Sequence, residues 1–178
     1  MELVQEKQKT AFTTLKKEFG WTNPMQTPRI EKIIISVGVG KMLKEKGKLE
    51  LVADRLGKIT GQKPLPRGAK KSIATFKTRI GDTIGYQVTL RGARARDFFN
   101  RLVHIALPRT KDFKGVSPDS IDEMGNYTLG IREHSVFPET SDEELKDVFG
   151  MSMTIVTTAK TKQEARAYLE YLGLPFKK

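Results

Sequence analysis

The chain has 178 residues and no cysteine, so it is long enough to bury about 70% of its unfolded surface as one domain without cross-links. Disulfides, thiol catalysis and any zinc site that needs sulfur are excluded. A formal net charge of +11 points to anionic partners.

No apolar run approaches the ~20 residues of a membrane span. The opening residues Met1 to Lys7 also lack the charged-then-apolar order of a signal peptide, so a soluble intracellular protein is expected. The charge is unevenly placed. Residues 58–101 carry 11 basic and 2 acidic groups, whereas residues 102–178 carry 10 and 12. A basic membrane-surface helix would gather its cations on one amphipathic stripe; here they are spread along predicted loops and strands, which favours nucleic acid over a membrane as partner.

In chain order, residues 2–19 read as an amphipathic helix, with Val4, Ala11 and Leu15, then Phe12 and Phe19, at helical spacing before Gly20. Pro24 and Pro28 exclude regular structure between Trp21 and Pro28. Ile30 to Val39 is a β-branched strand closed by glycines. A second helix is predicted from about Lys48 to Ile59, with Leu49, Val52, Leu56 and Ile59 on one face.

Thr60-Gly-Gln-Lys-Pro-Leu-Pro-Arg-Gly-Ala-Lys-Lys-Ser72 contains no acidic residue. Its prolines hold the backbone extended, so Lys63, Arg67, Lys70 and Lys71 form either a grip on an anion or a solvated loop. Ser72–Arg79 and Ile84–Arg91 alternate apolar and polar residues and are predicted as paired strands around the loop Ile80 to Thr83. Phe76 and Tyr86 are expected in the core. A third helix from Ala95 to Leu107 turns Phe99, Leu102, Val103 and Ala106 inward and stops at Pro108.

Residues 108–126 are turn-rich. Tyr127–Ile131 is strand-like, and Ser135–Phe137 is a second, weaker candidate. Ser141 and Glu144 make a capping box for a short helix using Leu145, Val148 and Phe149. Met151–Thr158 is another strand, and Thr161 with Glu164 caps a last helix that runs to Leu172 and stops at Gly173 and Pro175. The predicted fold class is α+β: an antiparallel sheet with helices mainly on one face, the other face and adjacent loops meeting RNA.

Catalytic chemistry has no support in the pattern. Gly38-Val-Gly40 lacks the third glycine of a dinucleotide fingerprint, since Leu43 stands there, and Gly40-Lys41 is followed by Met42 rather than Ser or Thr. The glycines suit a strand end where either another segment or a phosphate comes close. His104 and His134 have no partner at metal-ligand spacing and are read as structural or surface residues. No cofactor or metal is expected. Without a visible cluster of stacking aromatics, the expected mode is contact with the phosphates and riboses of folded RNA.

Several pieces in order resemble one family. They are Pro28-Arg-Ile-Glu-Lys32 leading to Gly38-Val-Gly40, Ile59-Thr-Gly-Gln-Lys-Pro64 with Ala69-Lys-Lys-Ser72, Thr89-Leu-Arg-Gly92, Ala106-Leu-Pro-Arg109 and Asp112-Phe-Lys-Gly115. Further on stand Gly125-Asn-Tyr127, Leu129-Gly-Ile-Arg-Glu133, Phe137-Pro-Glu139, Thr154-Ile-Val-Thr-Thr-Ala-Lys160 and Leu174-Pro-Phe176. Together the chain resembles the bacterial large-subunit ribosomal protein L-five (L5) family, which binds 5S rRNA in the central protuberance.

That resemblance implies one L5-like domain over residues 1–178, with an N-terminal helix at about 2–19, an RNA-binding part at about 28–92 and a C-terminal part at about 93–178. It implies that Arg29, Ser36, Gly38, Gln62, Lys63, Lys70, Lys71, Ser72 and Arg91 lie at 5S rRNA. It implies that Lys77, Thr78, Arg79 and Gly81 belong to a loop reaching P-site tRNA, and that the large-subunit rRNA and other central-protuberance proteins are partners. A bridge to a small-subunit head protein is assigned to Arg109, Lys111, Asp112 and Glu143, on the opposite charge of that region. A structural constituent of the cytoplasmic large ribosomal subunit, and not an enzyme, is therefore expected. The alternative is a free-standing RNA chaperone or regulatory RNA-binding protein.

Four positions depart from the family pattern. Ser36 and Val37 replace asparagine and methionine, Arg67 replaces a small hydroxyl residue, and Met124 replaces arginine. Asp82, at the hairpin tip, would repel an RNA backbone unless it points away.

Overall fold

The computed structural model describes residues 4–40, 46–140 and 148–177. Most of the predicted capped helix, residues 141–147, lies outside them, and its last two predicted residues, Val148 and Phe149, are not helical. Four long helices and five strands are present among the described residues. Helix α1 (Val4–Phe19) buries Val4, Ala11 and Leu15 at the predicted spacing and ends at Gly20, whose φ of 65° accommodates the turn. Helix α2 (Lys46–Thr60) buries Val52, Leu56 and Ile59. The C-terminal helix α4 (Lys162–Leu172) starts on Thr161, whose hydroxyl accepts from Glu164 N–H, and stops at Gly173.

Helix α3 (Gly92–Arg101) continues through a wider π turn, Leu102–Ala106, into a last turn at Leu107–Arg109. The Leu107 N–H reaches back to the Leu102 carbonyl. Pro108 has no N–H and its ring excludes an ordinary α turn. The change of register ahead of it is the local answer.

Strands β1 (Ile30–Gly38), β2 (Leu65–Gly68), β3 (Thr83–Arg91), β4 (Tyr127–Ile131) and β5 (Met151–Thr157) form a sheet in the order β2-β3-β1-β5-β4. Neighbouring strands run antiparallel. Leu65 pairs with Gln87 and Arg67 with Gly85; Val39 N–H donates to Ile84 O at 2.9 Å, and Thr158 N–H donates to Arg29 O at 3.0 Å. His134 N–H, just past β4, donates to Phe149 O, just before β5. In β1 the odd positions Ile33, Ile35 and Val37 are buried, as are Val88 and Leu90 of β3 and Met151, Met153 and Ile155 of β5. The predicted α+β class with an antiparallel sheet is observed.

The chain divides into two compact units, Met1–Ile33 with Leu90–Leu129 and Thr154–Lys178, and Ile34–Thr89 with Gly130–Met153. In the first, α1 packs on α4: Thr10 Oγ1 lies 2.7 Å from the Tyr171 hydroxyl, and Trp21 Nε1 donates to Glu164 Oε1 at 3.4 Å. In the second, the core gathers around α2. His134 is buried there as a structural residue, stacked on Phe149 at 4.3 Å, with Nδ1 accepting from Phe149 N–H and Nε2 3.3 Å from Arg55 Nη1.

Two predicted strands are not formed. Ser72–Arg79 is a loop with one bridge, Ile73 to Thr78, around a short turn at Ala74–Phe76. The strand that pairs with β3 is instead Leu65–Gly68, because the chain closes the hairpin earlier, between Ala69 and Asp82. Ser135–Phe137 is likewise replaced by a 3-10 turn at His134–Val136, which carries His134 and Val136 into the core over too short a span for pairing. Phe76, expected in the core, is 72% exposed because its loop projects beyond the sheet. Tyr86 is half-buried.

Candidate nucleic-acid interface

The β2–β3 hairpin in the second unit carries the largest group of predicted site residues. Thr60 closes α2 by donating to Leu56 O at 2.7 Å, and Gly61, with φ of 66°, redirects the chain. β2 is an edge strand exposed along its whole length, with Pro66 and Arg67 in positions that discourage further strand pairing. Beyond it the loop 69–82 is pinned at several points. Ala69 N–H donates to Asp82 O at 2.8 Å, Gly81 N–H to Ala69 O at 3.1 Å, and Ile80 N–H to Ser72 Oγ at 3.1 Å.

This loop holds in one structure two groups that the family resemblance implied separately. Lys70, Lys71 and Ser72 lie on its first limb, Lys77, Thr78, Arg79 and Gly81 on its second. The four cations and Gly81 are exposed, whereas Thr78 is half-buried in the bridge to Ile73. Ser72 is exposed, but its hydroxyl oxygen also supports the loop.

Asp82 stands at the base of the loop, across from Ala69, and not at its tip. Its Oδ2 accepts from Arg79 N–H at 2.7 Å, so the carboxylate closes the loop and leaves the cations dominant. Lys77, with φ of 53°, occupies the left-handed region at the end of the Ala74–Phe76 turn. Phe76, Ile80 and Ile73 are exposed among these cations. Their exposure is not legible in the sequence, because alternating apolar residues in so short a segment look the same in a strand as at a loop tip.

The even positions of β1 and the odd positions of β3 face away from the buried side. In the second unit this places Ser36, Gln87 and Thr89 on a polar surface, with Ser152 of β5 donating to Ser36 O at 3.4 Å. Gln62 Nε2 reaches Thr89 O at 3.4 Å. Arg67 Nε donates to Gln87 Oε1 at 2.6 Å, which draws this cation along the sheet. Such uncharged donors and acceptors beside cations suit ribose and phosphate contacts. Gly38 and Lys63 are exposed at the margins.

The family described as "Ribosomal protein L5" matches residues 23–79, and the C-terminal part of the same ribosomal family matches residues 83–176. The chain is 49% identical over 179 residues to the large ribosomal subunit protein uL5 of Dictyoglomus turgidum, covering all of both chains. It is 49% identical over 170 residues to the protein of that name from Anaeromyxobacter sp. strain Fw109-5, covering 96% of this chain and 94% of the relative. The protein of that name from Ureaplasma urealyticum is 52% identical over 164 residues, 92% of this chain and 89% of the relative. The chain belongs to the ribosomal protein L5 family. Membership makes it a structural, non-enzymatic constituent of the large ribosomal subunit, which in bacteria lies in the cytoplasm.

The remaining described site residues of this L5-family protein lie in the first unit. Arg29 precedes β1, its backbone fixed by N–H donation to Thr158 Oγ1 at 3.0 Å, and its side chain is exposed. Arg91 sits at the N-cap of α3 and Arg94 follows in the first turn, with no acidic residue there. Positive charge at that end opposes the helix dipole, a cost that a polyanionic partner offsets. Arg109, Lys111 and Asp112 are exposed around the end of α3, and Asp112 has φ of 53°. Glu143 lies outside the described residues.

Proposed function

We propose that the chain anchors 5S rRNA in the central protuberance through the β2–β3 hairpin and the polar strand face beside it, and that the tip at Lys77, Thr78, Arg79 and Gly81 meets P-site tRNA. One observation carries most of this reading. The pinned loop 69–82 presents Lys70, Lys71, Lys77 and Arg79 to solvent while its one carboxylate is turned onto a backbone N–H. A loop fixed before binding loses less conformational freedom when it meets RNA. Ser36, Gly38, Gln62, Lys63 and Ser72 supply short-range contacts around those cations, with Arg29 and Arg91 adding charge in the other unit. The exposed Phe76 ring offers a surface on which a base stacks.

Replacing both Lys70 and Lys71 by alanine is expected to weaken 5S rRNA binding and to flatten its salt dependence by about 0.7–0.9 in the log–log slope for each phosphate no longer neutralised. Titration at several salt concentrations measures both quantities. An unchanged slope removes the two lysines from the interface.

The same reading gives the chain contacts with large-subunit rRNA and neighbouring central-protuberance proteins, and a bridge to a small-subunit head protein through Arg109, Lys111, Asp112 and Glu143. Cross-linking from Lys111 in assembled ribosomes is expected to recover a small-subunit protein. Adducts with RNA alone would sink the bridge assignment and leave the hairpin untouched.

A further inference from the structure

We propose that a cleft in the first unit holds one unpaired RNA nucleotide, with its phosphate among Lys9, Arg29 and Arg96 and its base against Met25. The inference rests on the RNA-binding reading above and adds a second, independent contact. The cleft has a volume of about 410 Å³ and is built from α1, the segment before β1 and α3. That size falls in the range of small-molecule sites. Besides the three cations it is lined by the amides of Gln5 and Gln8, and no acidic residue among the described residues lines it.

Three features point to a ligand. First, neither Lys9, Arg29 nor Arg96 is in a salt bridge among the described residues. Three cations around one recess repel one another, and an anion converts that repulsion into attraction. Second, Arg96 Nε and Thr27 Oγ1, both shielded from water in residues that line the cleft, find no hydrogen-bond partner among the described residues. A guanidinium N–H without an acceptor is costly, and a phosphate oxygen drawing the Arg96 side chain forward supplies one.

Third, Met25 is 86% exposed yet rigidly presented. The turn Pro24–Gln26 that carries it is capped from both directions: Met25 N–H donates to Asn23 Oδ1 at 2.9 Å, and Thr22 and Asn23 N–H both donate to Gln26 Oε1. A fixed turn that holds a thioether out in water, beside three cations, makes a platform for a flat apolar face. A nucleobase attached to a phosphate combines the two chemistries the cleft offers. An unpaired nucleotide is required, because a stacked base within a duplex cannot enter a recess.

Binding of a uridine hexanucleotide to the full chain, followed over a range of salt, tests the charge half of the proposal. Lys9→Ala combined with Arg96→Ala is expected to lower the log–log slope by about 0.7, the value for one single-stranded phosphate. A slope equal to that of the unaltered chain overturns the proposal. The base half is read in assembled large subunits with Met25 replaced by the photoreactive p-benzoylphenylalanine. An RNA adduct is expected there, and adducts confined to protein, or none, overturn it. The Lys70 and Lys71 variants report separately on the hairpin, so either contact can fail while the other stands.

Discussion

Raising the pH from 10 towards 12 is expected to strip several kcal/mol of stability from this protein, and two tyrosines in the first unit are the cause. Burial pushes the Tyr168 hydroxyl, which has no hydrogen-bond partner among the described residues, up to about 12, and burial likewise pushes Tyr127 up to about 12. In the unfolded chain both titrate near 10. Below pH 10 both states hold their protons and these groups contribute nothing to pH dependence. Between 10 and 12 the unfolded chain ionises while the native state does not, so protons are lost on unfolding and stability falls with pH.

For Tyr168 the rise from 10 to about 12 amounts to about 3 kcal/mol once the native group also titrates. Tyr127 is also buried, with its ring edge-on to Phe176 at 5.7 Å, but less protein surrounds it than surrounds Tyr168; about half that figure is expected for it. A combined loss of about 4 kcal/mol is large against a typical total of 5–15 kcal/mol. Urea unfolding followed from pH 9 to 12 measures it, and phenolate absorbance reports the ionisation directly. Tyr168→Phe removes the larger contribution, so the variant should show a flatter decline above pH 10. An identical decline in parent and variant would assign alkaline unfolding to other groups.

Elements whose apolar spacing is enforced by burial were legible in the sequence. Val4, Ala11 and Leu15 of α1, Ile33, Ile35 and Val37 of β1, and the Thr161 cap of α4 all stand where periodicity and capping rules place them. What was hidden shares a physical reason. β2 is exposed at all four residues, so no buried face leaves an imprint on its sequence, and Pro66 argues against a strand unless it is at an edge. The loop 72–79 has the alternation of a strand, but its hydrophobic side chains meet solvent; alternation records a difference between two faces and not which of them is covered.

The site was legible as composition and only partly as geometry. The lysines at 63, 70 and 71 stand out in an acid-free run. Nothing in their spacing shows that Asp82 folds back on Arg79 N–H or that Arg67 is tied to Gln87. Arg67 could have pointed into solvent on charge grounds alone. Nor does local pattern bring Lys9, Arg29 and Arg96 around one cleft, since they come from three separate segments whose proximity is a product of helix packing.

Glycines supply the sharpest separation of architecture from ligand contact, and Gly85→Ala is expected to cost about 3 kcal/mol, near the upper end for overpacking. A Cβ at position 85 would stand 2.8 Å from the Val37 carbonyl oxygen. That oxygen belongs to a strand backbone and cannot rotate aside as a flexible side chain would. Relief requires β3 to move from β1, at the expense of the adjoining 2.9 Å bond from Val39 N–H to Ile84 O. A fall in the urea midpoint measures the cost, and an unchanged midpoint would show that the strands separate without penalty. Gly38 sits beside this contact but is of the opposite kind: a Cβ there meets nothing within 4 Å among the described residues. Gly38→Ala should therefore leave the midpoint nearly unchanged, and a loss of 5S rRNA affinity in that variant reports the approach of RNA itself. If Gly38→Ala binds as the parent does, the close backbone approach belongs to Gly85 alone, and its role is to let two strands of the binding face lie together.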